Sequence, residues 1–147
     1  MSWSSHRYAL DSTLKELEHI STFIEVPICR LEVSHLPLVS FEYYRCNALI
    51  LGDNNESMGL AHILPNGIAQ DYVLQMLFRL NAPRHQVTAA IISGSDASAL
   101  EQACREQDII VTQRQHYALD QPRDIILFPK RQGIKIYTCS SQEEFFL

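Results

Sequence analysis

Apolar and polar positions recur along this chain with two different periods, and each period predicts one kind of element. Alternation with a period of two over residues 26–33 is typical of a half-buried strand. A period near 3.6 over residues 68–80 is typical of an amphipathic helix. Short apolar runs bounded by Gly, Pro, Asn or Asp predict further strands. Those runs cover residues 38–44, 47–51, 58–64, 87–92, 109–112, 124–128 and 134–138.

Two principal helices, at residues 68–80 and 97–107, are predicted among these strands. A meander of strands comes first, strands then alternate with helices, and a hairpin comes last. This order predicts an α+β fold with a mixed, mainly antiparallel β-sheet or sheets. We expect a single domain over residues 1–147. It has an N-terminal extension at 1–25 that carries a short helix, and a tail at 139–147 that either packs or dangles.

Composition and charge narrow the class of protein. The chain has 147 residues, of which 46% are hydrophobic and 20% charged, as in an ordinary globular domain. The net charge of -5 comes with no basic run or stripe, so we expect no nucleic-acid binding. Apolar runs are too short to cross a bilayer, and the start lacks the apolar region of a secretory signal. We therefore expect no membrane insertion and a cytoplasmic location.

Cysteine spacing gives no sign of a metal site. The chain has four cysteines, none of them in a C-x-x-C pair: Cys29, Cys46, Cys104 and Cys139. This spacing argues against a zinc ribbon and against a redox dithiol. A ligand set of Cys46, His62 and His35 also lacks a close-spaced pair to anchor it. We expect no metal and no cofactor.

The clearest chemistry lies in residues 40–65, SFEYYRCNALILGDNNESMGLAHILP. A polar turn between two apolar strands predicts a hairpin that brings Cys46 close to His62. A thiol beside an imidazole is the minimum equipment for nucleophilic attack on an amide or ester. The cation of Arg45 favours the thiolate, and the small Gly59 leaves room for a neighbouring chain or a substrate. The alternative is a core histidine whose ring is satisfied by a backbone carbonyl.

The motif order in this stretch resembles the CheD family, the chemoreceptor glutamine deamidases. That family has a threonine six residues before its nucleophilic cysteine, and here Ser40 stands six residues before Cys46. An apolar strand and a polar turn follow. The motif Gly59-Leu-Ala-His62-Ile-Leu-Pro65 is similar to the family's histidine-bearing strand. The order of strands and helices extends the resemblance over residues 28–138.

The resemblance implies a fold shared with deamidating bacterial toxins of the cytotoxic necrotizing factor type. It also implies a cysteine-dependent deamidase that acts on protein glutamines, those of bacterial chemoreceptors in chemotaxis included. In this reading Cys46 is the nucleophile, His62 carries the proton and Ser40 holds the imidazole. A hydroxyl orients an imidazole more weakly than a carboxylate does, so we expect modest rates.

Residues around the three catalytic candidates depart from the family pattern. Tyr44-Arg45 stand where the family has Gly-Ser, and bulky side chains there narrow the access of a substrate amide. We assign substrate contacts to Arg45, Asn47 and Gly59. The departure keeps two alternatives open: a CheD-like protein-binding module without catalysis, and an effector or toxin-type deamidase with another protein substrate. The acyl donor (glutamine or methyl ester), a regulatory protein partner and the oligomeric state also stay open.

Four other polar residues have weaker claims to function. His35 could line the same cleft, but a loop histidine is favoured. His116 with Asp120 suggests a second acid–base pair, although a solvated loop is favoured there. We expect Arg123 to cap or pair at the surface rather than to bind substrate.

Overall fold

Two β-sheets packed face to face form the centre of the structure, a computed structural model. It describes residues 3–118 and 121–147, with side chains from Leu10 onward. Within these residues there are three α-helices: α1 Trp3–Leu17, α2 Ala69–Leu80 and α3 Ser98–Glu106. The same residues form ten strands: β1 Ile24–Glu25, β2 Leu31–Ser34, β3 Leu38–Tyr43, β4 Asn47–Gly52, β5 Met58–Ile63, β6 Thr88–Ser93, β7 Ile110–His116, β8 Arg123–Phe128, β9 Gly133–Tyr137 and β10 Gln142–Phe146.

The two sheets are mainly antiparallel. Sheet A has the strand order β1-β3-β8-β9-β10, and sheet B has the order β2-β5-β4-β6-β7. The pairs β1–β3 and β6–β7 are parallel, and α3 connects the second of these pairs as a βαβ unit requires. The other described pairs are antiparallel. The predicted α+β class with a mainly antiparallel sheet is therefore confirmed.

Alternation along the strands divides the core into three layers. Ile50 points into the inner layer, between the two sheets, whereas its neighbour Leu49 points to the opposite face of sheet B. That second face packs against α2 through side chains such as Met76. The outer face of sheet A packs against α1 through Leu17 and Ile126. The order of layers is helix, sheet A, sheet B, helices, and the inner layer carries the candidate chemistry.

The hairpin predicted within residues 40–65 is formed by β4 and β5. The carboxylate of Asp53 accepts the backbone N–H groups of Asn55 and Ser57, at 2.9 and 3.1 Å, which closes the turn. The ladder then places Ala48 directly opposite His62. This register decides which side chains share a face.

Three segments differ from the sequence predictions. Helix α1 is 15 residues long rather than short, and it packs along sheet A. The strand predicted at 26–33 forms only from Leu31 onward, as β2, and β1 ends before this run. Pro27 has no backbone N–H to donate to a ladder, so the strand does not begin there. The tail at 139–147 packs, since β10 pairs with β9 at the edge of sheet A. None of the described helices has the length and apolar character needed to span a membrane.

Candidate active site

Cys46 and His62 lie on the same face of sheet B, the face turned toward sheet A. Ala48 stands opposite His62, and Cys46 comes two residues before Ala48, so strand alternation turns it to the same side. Both Cys46 and Ala48 belong to the inner core layer. Cys46 lies just before β4, and no hydrogen bond joins its thiol to Nε2 of His62, which has no partner among the described residues. The hairpin thus places the thiol and the imidazole in one environment.

Ser40 reaches from sheet A to orient the imidazole. Its Oγ lies 2.9 Å from Nδ1 of His62 and donates to the carbonyl oxygen of Val26 at 2.7 Å. A serine hydroxyl has a single proton, and since that proton goes to Val26, Oγ accepts one from Nδ1–H. The network therefore assigns the Nδ1–H tautomer and leaves the lone pair on Nε2. That nitrogen is buried and has no hydrogen-bond partner among the described residues.

A β-bulge turns Ser40 and Tyr43 toward the same ring. Residues three apart in a regular strand point to opposite faces, but the register of β3 shifts between Ser40 and Tyr43, and Glu42 has a φ of 63°. Tyr43 consequently also enters the inner layer, where its ring stacks on that of His62 at 3.8 Å between centroids. The sequence did not reveal Tyr43, because period-two alternation assigns it to the wrong face.

Burial makes His62 a neutral base. The side chain is 2% exposed, and this desolvation, followed by the positive charge of Arg123, lowers its pKa from 6.5 to about 4. The imidazole is therefore unprotonated at neutral pH. It can take a proton at Nε2 as soon as a donor reaches that atom.

The Cys46 thiol is also neutral at rest. It is 7% exposed, and burial raises its pKa, with a further rise from Cys29 and an opposing effect from Arg123. The cation that acts on the thiol is thus Arg123 and not the adjacent Arg45, contrary to the expectation from sequence. The resting pair is a thiol and an imidazole rather than a thiolate and an imidazolium.

Arg123 is buried, so its expected place at the surface is wrong. It is 0% exposed at the start of β8. Its Nη1 donates to the carbonyl of Gln121 at 2.8 Å, and its Nη2 donates to the carbonyl of Tyr44 at 2.9 Å. The sequence held a signal for this position: Arg123 shares the period of two with Ile125 and Leu127, which both point into the inner layer.

The three predicted substrate-binding residues lie in different surroundings. Arg45 is exposed beside Cys46. Asn47 is buried, and its Oδ1 accepts from the backbone N–H groups of Gly94 and Ser95 at 3.0 and 3.3 Å. Gly59 faces α2, where an added Cβ would lie 2.6 Å from the side chain of Met76. The structure therefore does not bring Gly59 to the thiol, and it gives Asn47 the task of fixing the turn after β6.

A surface cleft of about 510 Å³ opens beside the imidazole. His62 contributes to the wall of this cleft, whereas Cys46 does not. The remaining walls are mostly apolar and come from α1, the segment around Pro27 and the bulge of β3: Leu10, Leu14, Glu25, Val26, Pro27, Ile28, Phe41 and Glu42. A ligand in this cleft would therefore lie beside His62 and not beside Cys46.

The other polar candidates lie apart from this site. His35 lines a different cleft, together with Lys130. Within the described residues, no group of three His, Cys, Asp or Glu side chains is arranged to hold a metal ion. His116 ends β7, with Nδ1 2.9 Å from Oγ of Ser93. Its predicted partner, Asp120, lies outside the residues that the structure describes.

Comparison with known proteins identifies a fold relative and no family. No family model matches the chain, and no curated protein matches it. Among solved structures it is similar to the Neisseria meningitidis protein NMB0706, described under the family model DUF152, with a TM-score of 0.53 and 10% sequence identity. The similarity covers 72% of this chain, which spans 66% of that protein's length. It shows a shared α+β fold alone, and the resemblance to the CheD family stays a prediction.

Proposed function

We propose that this protein is a CheD-like cysteine amidohydrolase that deamidates glutamine side chains of a protein substrate. One observation carries the proposal: Nδ1–H of His62 donates to Ser40, which leaves Nε2 without a partner among the described residues, on the same side of the sheet as Cys46. A nucleophile, a base and a group that orients the base are the parts that covalent acyl transfer needs. A cytoplasmic location, expected from the hydrophobic pattern, and a role in chemotaxis, implied by the resemblance, belong to the same proposal.

The reaction starts from the neutral pair. As Sγ of Cys46 attacks the carboxamide carbon, Nε2 of His62 takes the thiol proton, and the new imidazolium keeps its Nδ1–H bond to Ser40. The tetrahedral intermediate collapses when Nε2 returns that proton to the departing nitrogen, which leaves as ammonia. Water then attacks the thioester with Nε2 as the base. The products are a glutamate side chain and the original thiol.

Burial of the thiol favours a side-chain amide over a backbone amide. At 7% exposure, Cys46 is accessible only to a slender group. The end of a glutamine side chain is unbranched apart from its amide and can enter a narrow opening, whereas a peptide bond is flanked by two chain segments. The exposed Arg45, which directly precedes Cys46, keeps its assignment to substrate contact as part of the proposal.

Ammonia release tests the proposal. The full chain is incubated with a chemoreceptor cytoplasmic domain and with a general glutamine-rich protein, and converted glutamines are located by peptide mass spectrometry. We expect release by the wild type and by Cys139→Ala, the matched control at a cysteine outside the site, and none by Cys46→Ala. Equal release by wild type and Cys46→Ala would refute a cysteine mechanism.

A second candidate function is a protein-binding module that shares this fold without catalysis. The observation that favours it is the buried, neutral Cys46 behind Tyr44-Arg45. Under this alternative no substrate protein forms a thioester with Cys46. Trapping with a glutamine peptide that carries an electrophile in place of the amide distinguishes the two, because only a competent nucleophile becomes covalently labelled.

A further inference from the structure

A buried cation lies next to the segment that carries Cys46. Arg123 is 0% exposed, and its side chain enters the inner layer between the sheets, on the face it shares with Ile125 and Leu127. Burying a guanidinium away from water is costly unless an anion or a full set of acceptors compensates it. The group that compensates the buried charge of Arg123 is therefore relevant to function.

The described residues compensate this charge only in part. Two backbone carbonyls accept from Nη1 and Nη2, and the guanidinium lies 5.0 Å from the ring centroid of Tyr117. Its Nε has no partner among the described residues, and no described carboxylate forms an ion pair with it. Asp124 follows in sequence but accepts from Thr13 and from the backbone of Glu42. Among the residues that the structure describes, the positive charge has no anionic partner.

Gly94 shows how closely Arg123 approaches the nucleophile's segment. A Cβ on Gly94 would lie 2.2 Å from Nη2 of Arg123 and 2.0 Å from the carbonyl oxygen of Tyr44. The same atom would lie 3.0 Å from the carbonyl oxygen of Cys46. The guanidinium of Arg123 and the backbone of residues 44–46 thus lie close together, in a space that a side chain at position 94 would fill.

We propose that Arg123 is a positioning residue that fixes residues 44–46 and supplies the positive charge that balances the Cys46 thiolate. The inference rests on the proposed nucleophilic role of Cys46, but it can be tested without turnover. The Arg123 charge lowers the pKa of both Cys46 and His62. The other titratable groups that face it, Tyr43 and Tyr117, are kept neutral because burial raises their pKa. This leaves the Cys46 thiolate as the anion that the charge of Arg123 balances.

The test is the pH profile of Cys46 alkylation by iodoacetamide in the full chain, read by peptide mass spectrometry. Arg123→Gln keeps an amide donor for the Tyr44 carbonyl and removes the charge. Its alkylation midpoint should rise by about one pH unit, so that Cys46 reacts about tenfold more slowly than in the wild type at pH 7.5. Arg123→Lys keeps a cation and should react within about twofold of the wild type. Cys104, a buried cysteine outside the site, serves as the internal control and should keep its profile in every variant.

Two results would overturn the inference. One is an Arg123→Gln profile for Cys46 that coincides with that of the wild type while thermal unfolding shows a folded protein. The other applies if Arg123→Gln does not fold. In that case, a folded Arg123→Lys in which Cys46 is alkylated about tenfold more slowly than in the wild type would show that the cation itself is not what matters. Failure of ammonia release with the expected alkylation profiles would sink the deamidase proposal and leave the role of Arg123 standing.

Discussion

The hydroxyl of Ser40 lies 2.9 Å from Nδ1 of His62, and these two residues belong to different sheets. Because Oγ gives its own proton to the carbonyl of Val26, it serves His62 as an acceptor and selects the tautomer with a free Nε2. A carbonyl in this place would accept from the ring just as well. The hydroxyl adds a link to the segment before Pro27, so the position of that segment and the state of the base are coupled.

Ser40→Ala should lower activity and stability together. The substitution leaves the Nδ1–H of His62 and the carbonyl of Val26 without their partner in a buried place, at a cost of about 1–3 kcal/mol in the free energy of unfolding. Loss of the orienting contact should reduce the rate of ammonia release by about a hundredfold. Ser40→Thr restores the hydroxyl and is the rescue control. Urea unfolding and ammonia assays measure both effects, and a fully active, folded Ser40→Ala would remove this residue from the mechanism.

Stability should fall on acidification because of His62. Its pKa is about 4 in the folded chain and 6.5 as an ordinary imidazole, so between these values the unfolded chain binds the extra proton. The stabilising contribution is complete above pH 6.5 and is lost as the pH falls toward 4, an effect of about 3 kcal/mol. Urea unfolding at pH 7.5, 5.5 and 4.5 measures it. His62→Gln lacks this titration and should show a shallower decline, and parallel curves for the two proteins would contradict the assignment.

In the folded protein, Cys46 should be alkylated at higher pH than in the unfolded chain. Burial raises the pKa of this thiol in the native state, and urea removes the burial. Iodoacetamide labelling as a function of pH, with and without urea, should therefore give a higher midpoint for native Cys46. Cys104 is a matched buried cysteine outside the site, with a pKa raised to about 11, and it should be protected even more strongly. A native Cys46 that reacts at lower pH than in urea would mean that the charge of Arg123 outweighs burial.

Gly94→Ala should destabilise the fold far more than Gly133→Ala. At position 94 the new methyl group would meet the Tyr44 carbonyl at 2.0 Å and the Arg123 guanidinium at 2.2 Å, and the backbone oxygen cannot move away easily. A cost of about 3 kcal/mol is expected from such overpacking. At position 133 the nearest atoms are 3.3 Å away in the flexible side chain of Arg131. Thermal unfolding compares the two, and equal melting temperatures would show that residues 44–46 are free to move.

Local signals predicted the hairpin. Two apolar runs around a polar turn gave β4 and β5. The resemblance to the CheD family added Ser40 to Cys46 and His62, and the fold turns all three toward the inner layer; their catalytic roles stay a prediction. The same logic failed for Gly59. A small residue close to His62 in sequence predicts space for substrate, but alternation turns Gly59 to the opposite face, against Met76.

Tyr43 could not be placed in the same way. It enters the inner layer through a bulge at Glu42, and a bulge breaks the alternation on which sequence reasoning depends. For Arg123 two signals conflicted: the period of two that it shares with Ile125 and Leu127 indicates the inner layer, whereas an isolated arginine is usually exposed. Its burial depends on Gly94 and on the carbonyl of Tyr44, both distant from it in the chain.

The sequence by itself determined the α+β class and the β4–β5 hairpin, because periodicity and turn chemistry are local properties. The tertiary structure decided the ionisation state of Cys46 and His62, the tautomer of the imidazole and the cation that acts on the thiol. Those properties depend on burial and on contacts between sheet A and sheet B, which bring together residues far apart in the chain. The order of residue types is a local property of the chain, whereas the electrostatic environment of Cys46 and His62 exists only when the two sheets are packed.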